Sequence, residues 1–256
     1  MPDWNPHQYL KFANERTQPS IDLAARINVE SPKSTIDIGC GPGNSTQVLR
    51  DRWPDAKIAG LDSSAAMIEK AKKDYPDVEW ITADASKFVS NKRYDIVFSN
   101  AAIQWIPNHE LLLPRLFEIV NGGGALAVQV PANKESPLHQ AVLAVSSSSK
   151  WSKFTSGAEK SFTYNAVEYY YDILFRISTK FDIWETTYYH VLNSHAGLVE
   201  WYKGTGMKPF LERLPDDSSR TEFEKEVFEE CKNSYEIRND GKILYPFRRI
   251  FFIANK

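Results

Sequence analysis

TIDIGCGPGNST, residues 35–46, is the stretch whose reading decides the fold. Thr35, Ile36, Asp37 and Ile38 form a β-branched and apolar run that stops at three glycines in alternate positions, Gly39, Gly41 and Gly43, followed by the helix-capping types Asn44 and Ser45. That order reads as a strand, a tight turn and the start of a helix. Glycine there lets the backbone take positive φ and lets a ligand lie directly against it, because no Cβ intervenes. The guest such a turn suits is a nucleoside-bearing cofactor.

Outward from the turn, strand and helix are expected to alternate. The spacing predicts a helix from Ser45 to Arg52 stopped by Trp53-Pro54, a strand from Lys57 to Leu61 ending at Asp62, and a helix capped by Ser63-Ser64 that runs to about Lys73. Val78 to Ala83 and Tyr94 to Ser99 read as the third and fourth strands, ending at Asp84 and Asn100. A helix from Glu110 to Val120 is expected to stop at Asn121-Gly122-Gly123-Gly124, before a fifth strand from Ala125 to Val130. Upstream, residues 5–16 and the stretch after Pro19 read as two short helices, so that residues 1–30 cover the sheet. Five βα units predict an α/β fold with a doubly wound parallel sheet and a ligand at the carboxyl ends of its strands.

The second half is less regular. Leu138 to Val145 reads as a helix, Ser146 to Ser149 as a loop, and Asn165 with Glu168 as a capping box opening a helix to about Phe175. Phe181 to His190 and Ile250 to Ala254 read as strands. Between them, about residues 191–243 are helical and aromatic-rich, far longer than a hairpin needs, and are expected to be an inserted helical cap on a single domain, 1–256.

Composition narrows the partners. A net charge of −2 gives no global field for nucleic acid or an anionic membrane, so a small molecule is the expected partner. Cys40 and Cys231 are too few for a disulfide framework and lack metal-ligand spacing, which points to a reducing cytoplasm and no metal. No leader-like or membrane-spanning stretch is visible.

The glycine spacing is GxGxG, not GxGxxG, and no Gly-Lys-Ser/Thr marks a phosphate loop. Asp62, nineteen residues after Gly43, can accept both ribose hydroxyls, and Asp84 can meet an adenine amino group. With these residues in place, the chain resembles the S-adenosylmethionine-dependent class I methyltransferase family, whose first glycine motif reads like DIGCGPG. The resemblance implies a Rossmann-like seven-stranded sheet, mostly parallel with the last strand antiparallel, and S-adenosylmethionine as cofactor. It assigns the cofactor to Gly39, Cys40, Gly41, Asp62, Ser63, Met67, Asp84 and Ala85. Asn44, Asn100, Ala101 and Trp105 join that set, with Tyr9 and Arg16 from the opening segment.

A closer resemblance, nearly end to end, is to the bacterial trans-aconitate methyltransferase family. It is carried by DWNPHQYLKFANERTQP, GLDSSAAMI, NAAIQW, AVQVPAN, TTYYH, EWYKGTGMKPFL and RRIFFIA. The expected family pattern after the fifth strand is Pro-Asp-Asn, whereas this chain has Pro131-Ala132-Asn133 and so one carboxylate fewer. The resemblance implies an O-methyltransferase that esterifies a carboxylate of trans-aconitate or a similar small polycarboxylate; the alternatives are another carboxylic acid, fatty or carrier-bound, as acceptor, or a non-catalytic S-adenosylmethionine-binding protein. A carboxylate is ionised at neutral pH, so no catalytic acid or base is expected. Arg249, His190, Tyr188, Gln104, Trp201 and Thr205 are the candidates for holding the acceptor, because cationic and hydroxyl donors suit carboxylates. Arg248 reads as solvated.

Overall fold

The computed structural model describes residues 13–256, and side chains from Thr17 onward. Most of the expected opening helix at 5–16, with Tyr9 and the side chain of Arg16, lies outside the described residues. The elements are α1 (Ala13–Arg26), β1 (Ser34–Ile38), α2 (Asn44–Arg52), β2 (Lys57–Asp62), α3 (Ala65–Asp74), β3 (Glu79–Thr82), β4 (Tyr94–Asn100), a 3-10 turn (Ile103–Trp105), α4 (His109–Glu118) and β5 (Val120–Pro131). They continue as α5 (Pro137–Ser147), α6 (Ser152–Thr155), α7 (Val167–Ile177), β6 (Lys180–Leu192), α8 (His195–Lys203), α9 (Lys208–Leu211), α10 (Asp217–Cys231) and β7 (Ile243–Asn255).

All seven strands join one sheet in the order β3-β2-β1-β4-β5-β7-β6. β1 pairs in parallel with both β2 and β4, and β3 and β5 extend the sheet on either side. The order therefore reverses between β1 and β4, the switch point beside which a doubly wound sheet binds its ligand. β7 runs antiparallel to β5. Gly123 N–H donates to Lys256 O and Lys256 N–H to Gly124 O, while past the other end of β5 Ala132 N–H donates to Arg248 O. Ile36, Ile38, Ile96, Val97 and Phe98 are fully buried, as expected of central strands covered on both faces.

The chain divides into two compact units. One holds the residues through Pro131, Asn165–Thr186 and Ile250–Lys256; the other holds Ala132–Tyr164 and Thr187–Arg249. In the first, Trp184 stacks on Phe251 at 5.2 Å and Tyr170 packs on Phe252 at 5.1 Å. The second unit is thus made of two insertions, whereas the sequence reading placed only the second of them in a cap. Its core includes Phe223, held edge-on by Trp151 at 5.6 Å and stacked by Phe210 at 6.5 Å. Here the acidic face of α10 meets Lys150, whose Nζ lies 2.6 Å from both Glu222 and Glu226.

Four local expectations are corrected. α4 ends at Glu118 and the glycine run lies inside β5, because β5 bulges against β4: Tyr94 pairs with Val120 but Ile96 with Ala125. A Cβ on Gly124 would stand 2.5 Å from Asp95 O, so glycine serves strand approach there and not a helix stop. Residues 83–93 form no helix, so alternation breaks between β3 and β4. α7 starts from Ala166 with no side-chain cap, and Asn165 turns its amide toward His109 (3.4 Å) instead. α1 continues through Pro19, so the predicted break between two short helices is absent.

Candidate cofactor-binding site

The turn after β1 takes left-handed conformations at Gly39 (φ 74°), Gly41 (φ 53°) and Gly43 (φ 99°). Gly39 and Cys40 anchor it by donating their N–H groups to Leu61 O, at 2.7 and 3.0 Å. Gly43 N-caps α2 without a side-chain bond, so the first turn of that helix keeps its amides available. Asp62, at the end of β2, accepts from Gly41 N at 2.9 Å and from Ser64 N at 2.8 Å. Ser64 in turn caps α3, accepting from Met67 N at 3.4 Å. The Asp62 carboxylate is thereby locked in orientation and keeps accepting capacity for a ligand. Burial raises its pKa, opposed by the backbone N–H groups of Ser64, Gly41 and Ser63.

These elements form an open cleft lined by Ile38, Gly39, Gly41, Pro42, Leu61, Asp62, Ser63, Met67, Ala83, Ala85, Asn100, Ala101, Ala102, Trp105 and Ile106. A smaller cavity of about 280 Å³ shares Gly39 and Asn100 and adds Thr17, Ser20, Cys40, Asn44 and Ser45. The large chamber is chiefly apolar with one oriented carboxylate. The annex is chiefly polar.

That pair of chambers suits a nucleoside joined to an amino acid. Two features test the fit of S-adenosylmethionine. A Cβ on Gly41 would meet nothing within 4 Å, so the space beside the turn is open to a ligand. Asn100 Oδ1 is buried without a hydrogen-bond partner at the junction of the chambers, an acceptor suited to an ammonium group. The residues fit the cofactor.

Of the sequence candidates, Gly39, Gly41, Asp62, Ser63, Met67, Ala85, Asn100, Ala101 and Trp105 line the large cleft, and Cys40 and Asn44 the annex. Met67 lines the cleft and is also buried in the core, at 3 % exposure. Asp84 lines neither chamber; its carboxylate accepts from Ser86 N at 2.8 Å, while its neighbours Ala83 and Ala85 form the wall. Gln104 is buried and donates Nε2–H to Ala101 O at 2.7 Å. Tyr188, His190, Trp201, Thr205 and Arg249 all belong to the second unit.

Sequence reading missed His109. It is fully buried, donates from Nε2 to Ile103 O at 2.8 Å, and accepts at Nδ1 from the Tyr170 hydroxyl at 3.0 Å. It therefore braces the 3-10 turn that carries Trp105, and burial pushes its pKa down, keeping it neutral. Nothing in the sequence marks it, because both of its partners are set by the fold. Ala102 was also missed, although it follows a nominated pair.

Asp37 supports the turn from beneath. Its Oδ2 accepts from Ser45 Oγ at 2.6 Å and Thr46 Oγ1 at 2.7 Å. Burial raises its pKa to about 6, with the two hydroxyls opposing and Asp62 adding to the rise. The folded value exceeds the ordinary 3.8, so the native state holds a proton that the unfolded chain has released. Stability is then lost as pH rises between these values, by about 3 kcal/mol in all at 1.36 kcal/mol per pKa unit. In urea titrations of the cofactor-free protein, Asp37→Asn is expected to gain on wild type from pH 4 to about 6 and to level off above that; a constant gap would refute the assignment.

The comparisons with known proteins agree with this geometry. A family model described as a methyltransferase domain matches residues 9–172. The chain is 39 % identical over 257 residues to a trans-aconitate 2-methyltransferase of Azoarcus sp. (strain BH72), covering 99 % of each chain. It is 41 % identical over 257 residues to the enzyme so named from Methylobacterium nodulans, covering 100 % of this chain and 99 % of that one. Among solved structures, YcgJ of Bacillus subtilis superposes with a TM-score of 0.59 at 12 % identity, over 93 % of this chain and 99 % of that one, a likeness of fold alone. The turn, the oriented acid and the end-to-end likeness converge: the chain belongs to the S-adenosylmethionine-dependent class I methyltransferases, in the family of the trans-aconitate 2-methyltransferases.

Proposed function

We propose that this chain transfers a methyl group from S-adenosylmethionine to a carboxylate of trans-aconitate. The observation that carries the reading is the identity of about 40 % with enzymes of that name over essentially the whole of both chains. When bound, S-adenosylmethionine would supply a methyl on a cationic sulfur, the C–S electron pair leaving with sulfur as the acceptor oxygen takes the carbon. Asp62 would hold the ribose through its two hydroxyls, Asn100 would receive the ammonium group, and the turn at Gly39–Gly43 would admit the chain of the amino acid. The acceptor carboxylate, with a pKa near 4, arrives already ionised, so no side chain has to remove a proton. What the protein must provide is alignment and exclusion of water, which together lower a barrier by several kcal/mol.

Arg249 is the residue we assign to the acceptor's charge. It is 4 % exposed, and its guanidinium lies over the Phe247 ring at 4.5 Å and the Tyr188 ring at 5.8 Å, a flat and desolvated setting for a two-pronged grip. Arg249→Ala is expected to raise the acceptor KM about a hundredfold, the loss of a buried charge-assisted pair of about 3 kcal/mol, with cofactor affinity unchanged. Unchanged acceptor kinetics would remove the residue from the site. The substrate itself is tested by competition among acids at matched concentration. Trans-aconitate should outcompete dicarboxylates and fatty acids, and a preference for apolar monoacids would overturn the reading.

Among the described residues no helix is long and apolar enough to cross a membrane.

A further inference from the structure

Between β4 and α4, within the first unit, an irregular stretch of chain supplies four residues of the cleft wall: Ala101, Ala102, Trp105 and Ile106. Both ends of it are strained. Ala101 has φ 52° and Asn108 φ 58°, two of the three non-glycine residues with positive φ among the described residues. Such a backbone persists only where its surroundings over-determine it. The stretch also has no slack toward the glycine turn, since an added Cβ on Gly39 would stand 2.1 Å from the Ala102 Cβ.

Its fastenings can be named. At the β4 end, Ala101 N–H donates to Gln129 O at 3.0 Å and the buried Gln104 amide donates to Ala101 O at 2.7 Å. At the other end His109, the first residue of α4, reaches back to Ile103 O, 2.8 Å from Nε2. A carbonyl only accepts, so the proton of the neutral ring is on Nε2 and Nδ1 is left as the acceptor. Nδ1 meets two donors from the segment that carries α7, the Tyr170 hydroxyl at 3.0 Å and the Asn165 amide at 3.4 Å. The Tyr170 ring stacks on the imidazole at 5.7 Å, and both side chains are fully buried. The imidazole is thus a bridge with two separable arms, one to the cleft wall and one to α7. The transfer step has no use for its proton, and His109 does not itself line the cleft.

We propose that His109 is a positioning residue for cofactor binding, holding the wall from Ala101 to Ile106 against the glycine turn through its Nε2–H bond to Ile103 O. The proposal rests on the S-adenosylmethionine reading of the cleft and deepens it. It assigns part of the cofactor affinity to a side chain that the cofactor does not touch.

The two arms can be removed separately. His109→Gln places an amide where Nε2 stands and keeps the arm to Ile103 O, whereas His109→Asn places one where Nδ1 stands and keeps only the arm to Tyr170. Tyr170→Phe deletes the hydroxyl and leaves the Ile103 arm intact. Calorimetric titration with S-adenosylhomocysteine well below each unfolding midpoint, with thermal unfolding measured alongside, tests the proposal. His109→Asn is expected to raise Kd about tenfold, while His109→Gln and Tyr170→Phe stay within about threefold of wild type, although all three lower the midpoint. A wild-type Kd in His109→Asn would overturn the proposal and make His109 structural only. Equal weakening in all three variants would overturn it too, because affinity would then follow stability and not the Ile103 arm. If His109→Asn does not fold, His109→Gln still decides, since a tenfold loss there contradicts the proposal. Failure of the wild type to bind S-adenosylhomocysteine would remove the cofactor reading and the proposal with it, whereas the other outcomes leave that reading standing.

Discussion

Asp62→Ala is expected to weaken S-adenosylmethionine binding about a hundredfold. The carboxylate is held by the N–H groups of Gly41, Ser64 and Ser63, and it lines the cleft with accepting capacity to spare. Two hydroxyl hydrogen bonds to a charged, half-buried acceptor are together worth about 3 kcal/mol, which is roughly a hundredfold in Kd. The alanine variant also frees Gly41 N–H, so the turn loses part of its preorganisation and the figure is a lower bound. Calorimetric titration with S-adenosylhomocysteine measures the loss directly. Asp62→Asn, which keeps one carbonyl acceptor, should fall between wild type and alanine. A wild-type Kd in Asp62→Ala would mean that the ribose lies elsewhere.

Gly39→Ala should damage both stability and binding. Gly39 has φ 74°, and an added Cβ would stand 2.1 Å from the Ala102 Cβ, a distance no pair of carbons accepts. The left-handed conformation costs an L-residue about 1–2 kcal/mol, and forced repacking adds about 1–3 kcal/mol more. For a chain of this length roughly 3 kcal/mol corresponds to a drop of about 6 °C in Tm. Ala102 lines the cleft, so the displaced wall should also reduce cofactor affinity. Gly41→Ala separates the two effects. It has φ 53° and an added Cβ would touch no protein atom, so its Tm should fall only a few degrees while its Cβ occupies ligand space and binding still suffers. Equal Tm values for the wild type and Gly39→Ala would contradict the close approach of the β1 turn to Ala102.

Much of this arrangement was legible in residues 35–46. A strand, glycines that accept positive φ and a helix start are local events, and local events leave local signatures. Asp62 was legible for a related reason: the end of a strand beside the switch point is a position that topology assigns before any contact is known. The glycine run at 122–124 was misread because glycine marks both a helix stop and a strand that must pass close to a neighbour. Only the register against β4 and the approach to Asp95 O distinguish them. His109 carried no signal, since its role depends on Tyr170, sixty-one residues away. Arg249 was visible through resemblance, whereas the expected strand at Ile250–Ala254 left it outside β7, which begins at Ile243.

The measurement that tests the account most directly is product analysis after incubating the protein with methyl-labelled S-adenosylmethionine and trans-aconitate. The account predicts stoichiometric S-adenosylhomocysteine and a labelled monomethyl ester of trans-aconitate, from which mild base releases the label as methanol. A protein that binds S-adenosylhomocysteine in the cleft yet yields no ester above background, or a label stable to base, would contradict it.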